Sequence, residues 1–179
     1  MRTITRTKIN SLVFIFCATL LFLGCSKDNN TPETSKEAYF KFKLNGVQKE
    51  YKYHINANDP PSEKVIHFVT IAAFESNNIA TSTSLGFQLV SDKGAQIGTY
   101  LNNNANGDQL HATYAIQNVS NGQITGTTTY NTNETPFTFQ ITSLTKSGVK
   151  GKFSGKLKLS GGSEILDVTE GEFSAPYNY

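Results

Sequence analysis

From residue 38 onward the chain alternates. Phe40, Phe42 and Leu44 are separated by Lys41 and Lys43, so one face of that stretch is apolar and the other charged. A period of two belongs to a half-buried β-strand. Asn45-Gly46 follows at once, and Val47 to Ile55 returns. Asn-Gly is the strongest short hairpin signal, because both central positions of a type I′ turn need positive φ. Asp59-Pro60-Pro61 then breaks pairing. Val65 to Phe74 is nearly all apolar, which predicts a central strand buried on both faces. Leu85, Phe87 and Leu89 alternate again, and Gly98-Thr99-Tyr100 predicts a short strand. Leu110, Ala112, Tyr114 and Ile116 lead to a second Asn-Gly turn at Asn121-Gly122, with a return over Ile124 to Tyr130. Phe137, Phe139 and Ile141 form the next strand.

The clearest pattern is Val149 to Leu159. Val149, Phe153, Leu157 and Leu159 share one face, and Lys150, Lys152, Lys156 and Lys158 share the other. Gly161-Gly162 turns the chain into Ile165 to Thr169, Gly171 predicts a bulge, and Phe173 ends the last strand. Helical periodicity is missing throughout. Roughly nine or ten strands with short connections predict a single antiparallel β-sandwich domain over residues 38–179, with a closed meander β-barrel as the alternative.

The segment before this domain has a different character. Arg2, Arg6 and Lys8 precede an apolar run from Leu12 to Leu23, interrupted only by Thr19. Twelve residues are too few for a bilayer-spanning helix, which needs roughly 20, and fit the apolar region of a secretory signal. Phe22-Leu23-Gly24-Cys25 resembles the lipobox of bacterial lipoproteins, with Phe22 where that motif prefers Leu. The resemblance implies that residues 1–24 are a signal peptide and that Cys25 becomes a lipidated N-terminus. Several acyl chains, each CH₂ worth about 0.8 kcal/mol when buried, make a stable anchor. Residues 25–37 lack aromatic and large aliphatic side chains and read as a flexible tether. Ser26-Lys27-Asp28-Asn29-Asn30 resembles the polar export signal of surface lipoproteins of the Bacteroidota.

Cleavage would change the charge balance. The whole chain carries 16 basic and 14 acidic residues. Losing Arg2, Arg6 and Lys8 leaves 13 against 14, so nothing points to nucleic acid. Cys17 would leave with the signal, and lipidated Cys25 would be the single remaining cysteine. A domain without disulfides must be held by its core alone.

Three further stretches carry a family resemblance. Phe40-Lys41-Phe42-Lys43-Leu44-Asn45-Gly46 resembles the opening hairpin of small Bacteroidota lipoproteins of unknown function. Gly151-Lys152-Phe153-Ser154-Gly155 and Val168-Thr169-Glu170-Gly171-Glu172-Phe173 resemble their closing strands. The resemblance covers residues 38–177, implies an all-β fold and supplies no catalytic residue.

Candidate chemistry is sparse. His54, His67 and His111 have no metal-ligand spacing, although His67 could point inward beside Val65 and Val69. Asn102, Asn104, Asn106 and Gly107 echo the alternate ligands and turn glycine of a calcium loop, but Thr113 stands where the bidentate Glu belongs. With Asp108, these asparagines are better read as a polar loop that could contact a ligand. Residues 131–134 form a second such loop. The lysine row on residues 150–158 could grip an anionic partner or simply be a solvated face. Tyr51, Tyr53, Tyr100, Tyr114 and Tyr130 are expected to be strand packing. There is no G-x-S-x-G motif, no phosphate-binding glycine loop and no carboxylate pair with evident spacing. The chain is therefore expected to be a non-enzymatic envelope lipoprotein without a cofactor. It would lie at the outer membrane, facing the periplasm or the cell surface, and bind a glycan or protein. The alternative is a structural, accessory lipoprotein of an envelope complex.

Overall fold

The structure is a computed structural model that describes residues 37–58, 65–102 and 107–178. The signal, Cys25, the tether up to residue 36, Asp59-Pro60-Pro61, Asn104 and Asn106 lie outside the described residues. All described regular structure is β. Among the described residues eleven strands form, one or two more than the pattern predicts. They are β1 (Tyr39–Leu44), β2 (Val47–Tyr51), β3 (Tyr53–Ala57), β4 (Phe68–Phe74), β5 (Ser84–Val90), β6 (Gly98–Leu101), β7 (Gln109–Ser120), β8 (Gln123–Asn131), β9 (Phe137–Thr145), β10 (Gly148–Leu159) and β11 (Ile165–Pro176).

Every ladder is antiparallel, in the order β2-β1-β11-β10-β8-β7-β5-β4-β3. β10 is the branch point. Its first part, Gly148 to Gly155, pairs with β9, which in turn pairs with β6. Its end, Lys158 and Leu159, pairs instead with β8. One long strand thus belongs to two sheet halves. Those halves face each other across phenylalanine rings. Phe87 of β5 lies 4.6 Å from Phe153 of β10, 5.2 Å from Phe139 of β9 and 5.8 Å from Phe40 of β1, between ring centroids. The arrangement is a sandwich. No ladder joins β2 to β3, so the sheet is not closed into a barrel.

Val47 to Ile55 is one continuous strand in the sequence pattern and two in the structure. The chain leaves the ladder at Lys52, and His54 adopts a φ of +49°. β2 stays with β1, while β3 crosses to β4 on the other half. The stretch Val65 to Phe74 also departs from expectation. Val65 is exposed and precedes the strand, and within β4 only Val69, Ile71 and Ala73 are fully buried. β4 is flanked on both edges, but its outer face is covered only in part. Its apolar run therefore supplies one buried face.

Both Asn-Gly turns form as expected, with Asn45 and Gly46 at φ +49° and +79° and Asn121 and Gly122 at +53° and +76°. Gly171 does mark a bulge. Lys41 and Lys43 of β1 oppose Glu172 and Thr169 of β11, so β11 carries an extra residue there. The extra residue shifts the alternation by one. Leu166 and Val168 point inward before it, and Gly171, Phe173 and Ala175 after it.

β10 follows its predicted register. Val149, Phe153 and Leu157 are buried, Leu159 is half-buried, and Lys150, Lys152 and Lys156 are exposed. Three of the four lysines meet carboxylates: Lys152 meets Glu172 at 3.8 Å, Lys156 meets Asp167, and Lys158 meets Glu134. The row is a solvated, charge-matched face, which argues against the reading as an anion grip. Exposed pairs of this kind contribute little. Lys152→Ala should change the unfolding free energy by less than about 0.5 kcal/mol in denaturant titration.

Four of the five tyrosines expected in strand packing are buried: Tyr51, Tyr100, Tyr114 and Tyr130. The Tyr100 hydroxyl accepts from the Gln96 amide at 2.7 Å and donates to its carbonyl at 3.0 Å, a tyrosine-corner arrangement that pins the loop before β6. Tyr53 differs and is 42 % exposed, because it follows the break at Lys52. Burial, and then the neighbouring Tyr114 hydroxyl, hold the Tyr51 phenol protonated well above the ordinary tyrosine range.

Candidate functional site: the loops beyond β6, β8 and β10

Three points of the chain gather where β10 passes to β8: Asn102 just after β6, the β8–β9 loop 132–136 and the β10–β11 turn 160–164. Asn102 ties the end of β6 to the 132–136 loop. Its Nδ2 donates to the carbonyls of Thr132 at 2.6 Å and Thr135 at 2.7 Å, and its Oδ1 accepts from the Phe137 amide at 2.8 Å. Its side-chain amide is therefore committed to holding the loop. Of the sequence candidates, Asn102 is a positioning residue, and Asp108 is half-buried at the start of β7's approach.

Asn102→Ala would remove all three bonds and leave a part-buried amide and two carbonyls to find other partners. A loss of about 1–3 kcal/mol is expected. Asn133→Ala, at an exposed position, should change stability by less than about 0.5 kcal/mol in the same thermal or denaturant scans.

The 132–136 loop is pinned at further points. The Thr132 Oγ1 accepts from the Ala112 amide at 3.1 Å, and the Thr135 Oγ1 donates to the Lys156 carbonyl. Both threonines are buried, whereas Asn133 and Glu134 between them are exposed. Asn131 Nδ2 donates to Ser160 Oγ at 2.8 Å, joining the loop to the β10–β11 turn, and Asn131 Oδ1 accepts from the Asn133 amide at 3.0 Å. The result is an open groove of about 350 Å³, lined by Asn131, Asn133, Glu134, Lys158, Ser160 and the glycines 161 and 162. Beneath it, burial first and the nearby Glu164 carboxylate second raise the Tyr130 phenol above its ordinary range. The groove offers amides, a hydroxyl and one ion pair in a fixed arrangement, groups that exchange hydrogen bonds with a hydroxyl-rich ligand.

Comparison with family models, with curated proteins and with solved structures returned no match. A larger depression of about 640 Å³ lies on the outer face of β1, β2, β9, β10 and β11. A cross-strand row lines it: Lys41 opposite Glu172, Glu172 opposite Lys152, and Lys152 opposite Gln140. Within it Lys152 and Glu172 form an ion pair at 3.8 Å, and the alternating charges leave the row balanced overall.

His54 and His67 have separate partners. His54 Nε2 lies 3.2 Å from the Asn77 carbonyl, with its ring edge-on to Phe74. His67 is exposed, its Nδ1 2.9 Å from the Ser91 carbonyl, so it does not point inward beside Val69. It precedes β4 and lies outside the strand's alternation. Among the described residues no group of three or more His, Cys, Asp or Glu is placed to hold a metal ion.

The sequence suggested two loops and could not join them. The bonds from Asn102 to Thr132 and Thr135 span about thirty residues. Ser160 was missed altogether, because a serine after a strand carries no signal until the turn brings it to Asn131.

Proposed function

We propose that this chain is an envelope lipoprotein, anchored through Cys25, whose β-sandwich binds a glycan or protein partner without catalysing a reaction on it. The observation that carries the binding reading is the pinned 132–136 loop. It presents Asn133 and Glu134, next to Asn131 at the end of β8, to an open groove beside Ser160. The side chains suit hydroxyl recognition, and the hydrogen bonds beneath them limit the ordering cost of binding. Asn104, Asn106 and Asp108, which follow Asn102 in the sequence, are the further ligand contacts of this reading. The lipoprotein reading rests on the Gly24-Cys25 order after a short apolar run. It places the domain at the outer membrane, at the end of a tether.

The test is a glycan array with the soluble 38–179 chain, alongside affinity capture from envelope extracts. Wild type should bind a defined ligand, and Asn133→Ala combined with Glu134→Ala should weaken that binding at least about tenfold, or 1.4 kcal/mol, with the unfolding midpoint unchanged. Binding that survives the double substitution would place the site elsewhere. Mass spectrometry of the membrane fraction should find acyl groups on Cys25, and Cys25→Ala should release the protein. Unchanged membrane association of that variant would sink the anchor.

A further inference from the structure

β7 and β8 outrun their neighbours. β5 accompanies β7 only from Gln109 to Ala115, and β10 touches β8 only at Tyr130 and Asn131. Beyond those points, residues 116–120 and 123–128 pair only with each other. They form a two-stranded arm whose two outer edges have no ladder partner among the described residues. An isolated ribbon is marginal by itself, and its bare edges are templates for another strand.

The other edges of this sheet are guarded. β2 carries Lys49 and Glu50. β6 is only four residues long. β3 is kinked at His54 and bridged at Ala57 to Tyr177. The arm has none of these devices except one extra residue at Thr125, where Val119 opposes Ile124 and Asn118 opposes Gly126. From Ala112 to Asn133 the chain has no charged residue and no proline. Val119 and Ile124 stand opposite one another and are 45 % and 50 % exposed. Gln117 and Thr127, opposed on the same ribbon, bond side chain to side chain at 2.8 Å.

We propose that this arm pairs edge to edge with the same arm of a second copy of the chain. The argument for a second copy is electrostatic. Across a two-fold axis a strand meets itself, so a charge near the axis faces its own like charge. An arm without any charge has no such repulsion, whereas the charged edge of β2 would. Joining two arms makes a four-stranded ribbon, satisfies the bare backbone groups along the paired edge and covers part of the Val119–Ile124 surface. The inference is independent of what the groove binds.

The test uses the full chain in the envelope. Single cysteines are placed in turn at positions 116–120 and 123–128, followed by mild oxidation. A disulfide-linked product of twice the chain mass should peak at one position and fade within two or three residues on either side. Lys150→Cys, at the opposite end of β10, should give no more product than the parent chain. Val119→Lys combined with Ile124→Lys should lower the yield at the best position at least about tenfold, as charge on an open edge should. In parallel, two differently tagged copies should co-purify, and the same pair of lysines should abolish this. No product at any arm position, co-purification indifferent to the lysines, or a product containing a different protein would each overturn the proposal.

Discussion

Phe153→Ala should lower the unfolding free energy by about 3–5 kcal/mol, the range for removing a fully buried phenylalanine. Phe153 is 3 % exposed, and its ring meets five others: Phe40, Phe42, Phe87, Phe137 and Phe173, with centroids at 4.6 to 6.5 Å. These rings come from β1, β5, β9 and β11, so one side chain joins both halves of the sandwich where they face. No described disulfide or metal shares the burden. Urea titration of the 38–179 chain, read by circular dichroism, measures the loss. The neighbouring Lys152→Ala change provides the contrast on the other face of the same strand. If the two magnitudes were reversed, the register of β10 would be off by one residue.

Gly151→Ala should destabilise the domain by about 1–3 kcal/mol, the scale of overpacking, even though it adds a single methyl. A Cβ at Gly151 would stand 2.1 Å from the Gln140 carbonyl oxygen and 2.7 Å from the Phe173 ring. The carbonyl belongs to β9's backbone and cannot swing away, so β9 and β10 would have to separate. Phe173 lies directly opposite Gly151, and Phe153 lies directly opposite Gly171. Each ring covers the glycine facing it, the aromatic cover known to support glycines in sheets. A Cβ at Gly171 would likewise come within 2.4 Å of Phe153. Gly98→Ala is the control. It sits in β6 with open space around its Cβ, and should cost less than about 0.5 kcal/mol by the same titration.

Much of this architecture is visible in the alternation. The inward set of β10, both Asn-Gly turns and the bulge at Gly171 follow from local physics: a period of two, positive φ, and a residue that fits beneath a ring. What the alternation does not show is non-local. Nothing around Lys52 announces that the chain changes sheet halves there, because the apolar pattern continues on either side. The apolar run before Phe74 reads as doubly buried, although burial of its second face depends on what covers it. The branching of β10 depends on where β8 and β9 end. At the candidate groove, the asparagine-rich loops are evident, but their roles are not. Asn102 resembles its neighbours in sequence and differs from the exposed Asn133 only in having three backbone groups within reach.

The most direct test of the central claim, binding without turnover, is to recover the ligand after it has been bound. The glycan or partner captured by the soluble 38–179 chain is incubated with a catalytic-scale amount of that chain, and its mass is followed over time. The ligand should return at its original mass, with binding weakened on replacing Asn133 and Glu134. Saturable cleavage of that ligand, abolished by a single carboxylate substitution such as Glu134→Gln, would contradict it.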